Sequence, residues 1–270
     1  MYYLLGWIVG DAGKNFSSAH TWARLQLDLC SKHPENLILG KYVMDCVSML
    51  GIQYTRYADR PARRRHPHPE HRWQTYYSEV ISWLFTACLG LRRNELTSYH
   101  RIRMGWLMTA TKEHRLWFLR GLADSDGGVN ISNKTVEITS EPNTEFFKTL
   151  VESLGVPTLS YTSGGVGTVV MKIGDIVQLR IFNPEITNHK ATLVQRLAHA
   201  KTFPRHWPEQ LESRVEALMR QGLDPIAIRD NLLLDWGVYV KLRTVQSKWM
   251  RLKAKPAEGF GPSTPCLRGT

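Results

Sequence analysis

Two acids close two short apolar segments of nearly the same composition. Asp11 ends Leu4-Leu5-Gly6-Trp7-Ile8-Val9-Gly10-Asp11-Ala12-Gly13, and Asp126 ends Leu119-Arg120-Gly121-Leu122-Ala123-Asp124-Ser125-Asp126-Gly127. Each segment reads as a helix with small residues four apart, Gly6 with Gly10 and Gly121 with Ser125. Residues four apart share one helix face, and small ones let two helices approach closely. Pairing the copies would bring Asp11 and Asp126 together at two helix C-termini. A C-terminus already carries about half a negative charge and leaves its last carbonyls without intrahelical partners. Two acids added there call for a cation. Carboxylates and free carbonyls are hard oxygen ligands of the kind Mg²⁺ takes. An ion held between two acids could activate a water and stabilise the leaving oxygen of a phosphodiester.

The elements that must position this pair form a repeat. The first copy predicts a helix over Tyr2 to Gly10 and a strand over Arg24 to Cys30. A helix opened by Pro34 then stops near Gly51. The second predicts a helix over Glu113 to Ser125, a strand over Thr135 to Ser140, and a helix opened by Pro142 that stops near Gly155. Proline at the start and glycine at the end are ordinary helix punctuation. Two extended pieces follow in each, Gln53 to Tyr57 with Arg72 to Tyr77, and Thr158 to Thr162 with Thr168 to Lys172. A further helix closes each set, Glu79 to Cys88 and Ile173 to Ile181. Asn94 precedes His100-Arg101 by the same six positions that separate Asn183 from His189-Lys190. The first copy is longer, mostly through a loop around Arg60 to His71, which is expected at the surface.

The strands alternate. Leu25, Leu27 and Leu29 share one face while Arg24, Gln26 and Asp28 share the other, and Thr135, Glu137 and Thr139 lie opposite Val136 and Ile138. These read as half-buried antiparallel strands with one polar face. The chain has 270 residues, 43% of them hydrophobic, and a net charge of +11, with an isoelectric point near 9.6. That balance favours a polyanionic partner, nucleic acid ahead of a membrane surface. A polar face on a basic protein suits a major groove, and plain solvent exposure is the bland alternative. Arg63-Arg64-Arg65 with Arg56, Arg60 and Arg72 reads as a backbone clamp that gives affinity and register rather than sequence discrimination. No apolar run is long enough to span a bilayer, and no basic stretch precedes the first apolar run, so neither a membrane span nor a signal peptide is expected. Cys30, Cys46, Cys88 and Cys266 form no CxxC pair and are expected to be reduced and mostly buried, in an intracellular protein of a prokaryote or an organelle.

From Pro204 the texture changes. Glu209 to Gln221, Ile226 to Leu234 behind the cap Asp224-Pro225, and about Thr244 to Lys253 read as three helices, the third carrying Lys248, Arg251 and Lys253. The set resembles a helix-turn-helix unit, although the loop from Asp235 to Arg243 is long for one; a helical cap on the core is the alternative. The expected division is 1–105 and 106–203 for the two repeats, 204–253 for a helical DNA-binding extension, and 254–270 for a disordered tail rich in Pro, Gly and Ser.

Both acid-terminated segments resemble the LAGLIDADG motif of homing endonucleases. The second has Gly121, Asp124, Asp126 and Gly127 in place. In the first, Val9 replaces the motif's first acid and Ala12 its last glycine, with Gly13 following at once. Two copies in one chain resemble the single-chain, pseudo-symmetric members encoded in introns, of archaeal type. The resemblance implies an α+β fold, a duplicated αββαββα unit with antiparallel DNA-binding sheets, and the helical extension behind it. It implies a monomer that cuts both strands of a long asymmetric duplex across the minor groove, leaving short 3′ overhangs. Asp11 and Asp126 would be the catalytic, metal-binding acids, assisted by the backbone carbonyls of Gly10 and Ser125. Mg²⁺ would be the cofactor, Mn²⁺ would substitute, and Ca²⁺ would bind without supporting cleavage. The auxiliary basic residue is expected to be Lys190 or its repeat counterpart Arg101, with Lys14 as a rival and a phosphate contact or solvated charge as the bland reading of each. The DNA face would comprise Arg24, Gln26, Asp28, Arg72 and Gln74 of the first half. In the second half it would comprise Lys134, Thr135, Glu137, Thr139 and Lys172. Two other functions fit the same fold: an intron maturase that binds RNA, and a DNA-binding regulator without catalysis.

Two further motifs fail on their own terms. Asp124-Ser-Asp126-Gly-Gly-Val-Asn130 looks like a calcium loop. The EF-hand pattern, however, needs Asp or Asn at Gly128, glycine at Val129 and Glu at Thr135. His66, His68 and His71 could bind a metal, but the prolines between them oppose a defined geometry. The tryptophans, Trp7 among them, are expected to pack.

Overall fold

The computed structural model describes residues 1–17, 21–63, 67–92, 95, 100–203 and 207–254, with side chains described to residue 251. The chain forms two units, Met1–Ala198 and His199–Thr270. The first contains a repeat built on two helices, α1 (Tyr2–Gly10) and α5 (Lys112–Asp126). Seven of the nine residues of α1 are buried, so it is apolar around most of its circumference, as a central helix must be. It packs against α5, which buries Phe118, Leu119, Gly121, Leu122, Ala123 and Asp124. Thr111 caps the start of α5 by accepting a hydrogen bond from the His114 amide at 3.3 Å.

Each repeat then adds a four-stranded antiparallel sheet. The first uses β1 (Gly13–Phe16), β2 (Ala23–Cys30), β3 (Tyr54–Arg60) and β4 (Glu70–Thr75) in the order β1-β2-β4-β3. The second uses β5 (Gly127–Asn130), β6 (Thr135–Ser140), β7 (Thr158–Ser163) and β8 (Val166–Lys172) in the matching order β5-β6-β8-β7. Helix α2 (Glu35–Ser48) joins the strand pairs of the first repeat and α6 (Thr144–Glu152) those of the second. The alternation expected for β2 is present: Ala23, Leu25, Leu27 and Leu29 are buried, while Arg24, Gln26 and Asp28 lie half-buried on the other face. In register, Gln26 stands opposite Gln74 and Asp28 opposite Arg72. On β6, Thr135 is opposite Lys172, Glu137 opposite Val170 and Thr139 opposite Thr168.

The expected helix over Glu79 to Cys88 changes pitch midway. It runs as α3 (Glu79–Trp83) and then one wider π turn, Leu84–Cys88, in which the Leu89 amide reaches the Leu84 carbonyl at 3.0 Å. Its counterpart is shorter than expected, α7 (Ile173–Ile176). Two further helices, α4 (Gly105–Thr109) and α8 (His189–His199), stand where no helix was expected. Cys30 is exposed rather than buried, because it occupies the last outward position of β2; Cys46 is partly and Cys88 fully buried, and all three are free thiols.

The second unit packs α9 (Glu209–Arg220), α10 (Pro225–Trp236) and α11 (Leu242–Ala254) around Leu211, Val215, Leu218, Ile228, Leu232 and Val245. Asp224 caps α10 by accepting from the Ile226 and Ala227 amides at 2.8 and 2.9 Å, and Gly237 ends it in the left-handed region at φ 62°. The long loop before α11 is explained by a short strand within it. That strand, β10 (Val238–Tyr239), pairs in parallel with β9 (Lys201–Thr202). The tail from residue 255 onward lies outside the described residues.

Candidate active site

The approach of α1 and α5 is set by glycines. A Cβ on Gly6 would lie 2.0 Å from the Phe118 carbonyl oxygen, and one on Gly121 would lie 1.9 Å from that of Tyr3. Each glycine is thus pressed on the backbone of the opposite helix. At the C-terminal end, a Cβ on Gly10 would meet Ser125 Oγ at 2.0 Å and Asp126 Cβ at 3.2 Å. The Ser125 hydroxyl is itself turned back onto the Gly121 and Leu122 carbonyls, both at 3.0 Å. The four small residues therefore close the helix pair, and Asp11 and Asp126 emerge side by side from its end.

Both acids reach solvent. Surrounding protein and the charge of Asp126 push the Asp11 carboxyl up to about 6, with Asp28 and Glu70 adding to the rise and Lys190 opposing it. Burial also raises Asp126, again against Lys190. Beside Asp11 opens a cleft of ≈ 300 Å³ lined by Gly13, Gln26, Asp28, Arg60, Arg63 and Glu70. Like charges crowded at two helix ends, with oxygen ligands only, fit a hard divalent cation.

Lys190 enters from α8. Its ammonium donates to the Ala123, Asp124 and Ser125 carbonyls at 3.4, 2.8 and 3.1 Å. It thus occupies the carbonyl end of α5, including the Ser125 oxygen expected to assist a metal; burial lowers its ammonium, and the charges of Asp124, Asp11 and Asp126 oppose that fall. Asp124, the acid that Val9 replaces in the first copy, lies beneath and is buried. It accepts from the Tyr3 hydroxyl at 2.8 Å, the Asn188 amide group at 2.6 Å and the Asn183 backbone amide at 3.2 Å. Burial outweighs these bonds and holds its carboxyl at about 6. Sequence reasoning missed this network and the role of Asn188; the only available signal was that Asn183 precedes His189-Lys190 at a repeated spacing.

The other two basic candidates do not join the acids. Lys14 donates to the Glu95 carbonyl at 2.6 Å and lies 5.2 Å from the Phe85 ring centre, and burial lowers its ammonium to about 8. Arg101 is exposed and lines a separate groove with Ile102, Glu141 and Asn143. The equivalence with Lys190 breaks because Ile102 and His100 are tied instead to the buried Asn143, whose side chain accepts from the Ile102 amide and donates to the His100 carbonyl at 2.9 and 3.3 Å. Asn94 lies outside the described residues.

The polar face of the first sheet is an internally paired network. Asp28 meets Arg60 at 3.2 Å and Arg72 at 3.6 Å, and Arg72 also donates to Gln26 at 3.0 Å. Arg56 pairs with Asp59 at 2.9 Å, and Arg24 lies 4.8 Å over the Tyr77 ring. Gln74 is buried against Gln26. Arg64 and Arg65 lie outside the described residues. On the second sheet Glu137 accepts from Thr135 and Asn130, both at 3.0 Å, and Thr139 sits 3.4 Å from Thr168. Lys172 is exposed and Lys134 takes a left-handed turn at φ 54°. The cross-strand partners Leu159 and Tyr161 add exposed apolar groups to this face that the sequence reading did not include. In the second unit Lys248 is ion-paired with Glu212 and lies 4.7 Å from the Trp207 ring centre, while Arg251 is exposed. The side chain of Lys253 lies outside the described residues.

A duplicated α+β unit, paired through small-residue helices that each end in an acid, defines the class of this protein. Residues 113–187 match the family model of the LAGLIDADG-like domain. The match takes in the second motif helix from Glu113 onward and the sheet that follows it, and so covers the second repeat. No curated protein matches the chain. Among solved structures, mesophilic variants of the homing endonuclease I-DmoI are similar at 15% identity, covering 72% of this chain and 95% of that one, with a TM-score of 0.46. The homing endonuclease I-WcaI bound to its DNA recognition sequence is similar at 16% identity over 69% of this chain and 81% of that one, with a TM-score of 0.46. The N-terminal LAGLIDADG domain of DUF199/WhiA is similar at 18% identity over 70% of this chain and 83% of that one, with a TM-score of 0.41.

Proposed function

We propose that this chain is a site-specific, divalent-metal-dependent endonuclease that cuts both strands of a long, asymmetric DNA site as a monomer and leaves short 3′ overhangs. The observation that carries the reading is the juxtaposition of Asp11 and Asp126 at the closed ends of α1 and α5, one from each repeat. A divalent ion held by these acids, by the Gly10 carbonyl and by the lone pair that Lys190 leaves open on the Ser125 carbonyl would supply Lewis-acid stabilisation of phosphodiester oxygens. Mg²⁺ is the proposed ion, with Mn²⁺ as a substitute and Ca²⁺ as a binding-only analogue. Lys190 holds the carbonyl end of α5 and balances the charge of the paired acids. The two sheet faces read the duplex, the first through side chains that exchange Asp28, Asp59 and Glu70 for phosphates and bases. Their difference in composition suits an asymmetric target. The α9–α11 unit adds backbone contacts through the exposed face that carries Arg251.

The experiment is selection of bound duplexes from a random library in Ca²⁺, followed by transfer of the enriched duplex to Mg²⁺. The reading expects double-strand cuts at one site. Specific duplex binding without cleavage in Mg²⁺ or Mn²⁺ would favour a regulator, and preferential binding and splicing of an intron RNA would favour a maturase.

A further inference from the structure

We propose that His33, Glu35 and His189 form a second metal site, suited to a borderline-soft transition ion such as Zn²⁺ and separate from the paired acids. The three come from different segments: the turn after β2, the first turn of α2, and the first residue of α8. One ligand atom from each lies within 4.8 Å of the others. The two imidazoles are stacked with ring centres 3.8 Å apart and planes 4° from parallel. The Nδ1 atom of His189 is buried and has no hydrogen-bond partner, although buried ring nitrogens ordinarily find one.

The backbone around each ligand is fixed. The His33 carbonyl accepts from the Asn36 amide at 3.0 Å, and the Asn36 side chain donates to the Cys30 carbonyl at 2.7 Å. His189 stands between Asn188, bonded to Asp124, and Lys190, bonded to the end of α5. Two neutral imidazoles and a carboxylate are a donor set that Zn²⁺ takes, with a fourth position left over, whereas Mg²⁺ selects oxygen. Burial lowers both rings toward the neutral, ligating form, with Lys32 and Lys190 adding to the fall at His33, and His33 and Lys190 adding to it at His189, which lies at about 4. The same two cations oppose a bound dication and Glu35 offsets them in part. Chelation turns one ring out of the stack until both nitrogens face a common ion. The Ser31 amide donates to the Pro69 carbonyl at 2.8 Å, which ties the turn that carries His33 to the start of β4. A bound ion would clip the first repeat to the helix that carries Lys190.

The test titrates the full chain, first stripped with chelator, with Zn²⁺ by calorimetry and with Co²⁺ by visible absorption. The site predicts one ion per chain and Co²⁺ bands of a four-coordinate centre, both retained in excess Mg²⁺ and in the Asp11→Asn/Asp126→Asn double variant. His33→Phe keeps a stacking ring and removes the ligand; it and Glu35→Gln should weaken binding by more than the about 10–100-fold that loss of an outer-shell partner brings. Circular dichroism checks that each variant is folded. Absence of stoichiometric binding, unchanged affinity in both variants, or loss in the Asp11→Asn/Asp126→Asn variant would overturn the proposal.

Discussion

Replacing Gly6 by alanine tests whether backbone contact between the motif helices holds the site together. The new Cβ would lie 2.0 Å from the Phe118 carbonyl oxygen and 2.8 Å from the Leu122 nitrogen. Both are backbone atoms of α5, so no side-chain rotation relieves them. Restoring an ordinary contact of 3.4 Å at Phe118 requires a local separation of 3.4 − 2.0, or 1.4 Å. In a core packed without free space, overpacking of this kind costs about 1–3 kcal/mol, and contact with two backbone atoms lies at or above the upper end. A helix-interior Gly→Ala change returns about 1 kcal/mol of propensity. The net expectation is a loss of about 2 kcal/mol, read as a lower midpoint in urea with an unchanged slope. Gly174→Ala is the control, because its Cβ would meet nothing within 4 Å; it should be neutral or slightly stabilising. Opening the helix pair also separates Asp11 from Asp126, so divalent-dependent cleavage should fall further than stability explains. Wild-type stability in Gly6→Ala would refute the close-contact argument.

Three other outcomes follow from the same geometry. Without metal, the carboxyl of Asp11 binds its proton more tightly in the folded chain, at about 6, than at the ordinary 3.8. Its contribution to stability is therefore greatest below pH 3.8 and is lost as pH rises through 6, and Mg²⁺ should flatten that fall in a pH series of thermal melts. Asp124→Ala strands the Tyr3 hydroxyl, the Asn188 amide group and the Asn183 amide in the core, and denaturation should show a loss of about 3 kcal/mol or more. Lys190→Met uncaps the α5 carbonyls and removes the cation facing both acids, so stability should drop by about 1–2 kcal/mol. The midpoint of the pH–cleavage profile should also rise in that variant.

Much of the frame was legible because it repeats. The expected helix over Tyr2 to Gly10 matches α1, and the strand over Thr135 to Ser140 matches β6, since clear periodicity and punctuation marked them. The short strands β1 and β5 were missed: Gly13-Lys14-Asn15-Phe16 and Gly127-Gly128-Val129-Asn130 are poor strand formers, held extended only by pairing with β2 and β6. Asp11 and Asp126 were legible as a pair because small residues at helical spacing preceded both. The placement of Lys190 over the α5 carbonyls was not, since it depends on Asn183 and Asn188 folding back onto Asp124. Nor was the pairing of Arg60 and Arg72 with Asp28, because both meet it across the sheet rather than along the chain; the pair Arg56–Asp59 is local, three residues apart within β3. The excess of positive charge pointed to a polyanion, but it did not show that Asp28, Asp59 and Glu70 already neutralise part of that face.

The most direct measurement compares the wild-type chain with Asp11→Asn and Asp126→Asn on the selected duplex, with binding followed in Ca²⁺ and cleavage in Mg²⁺. The account predicts that each variant still binds the duplex and that each single change abolishes double-strand cleavage. Cleavage at the wild-type rate in either variant would contradict it.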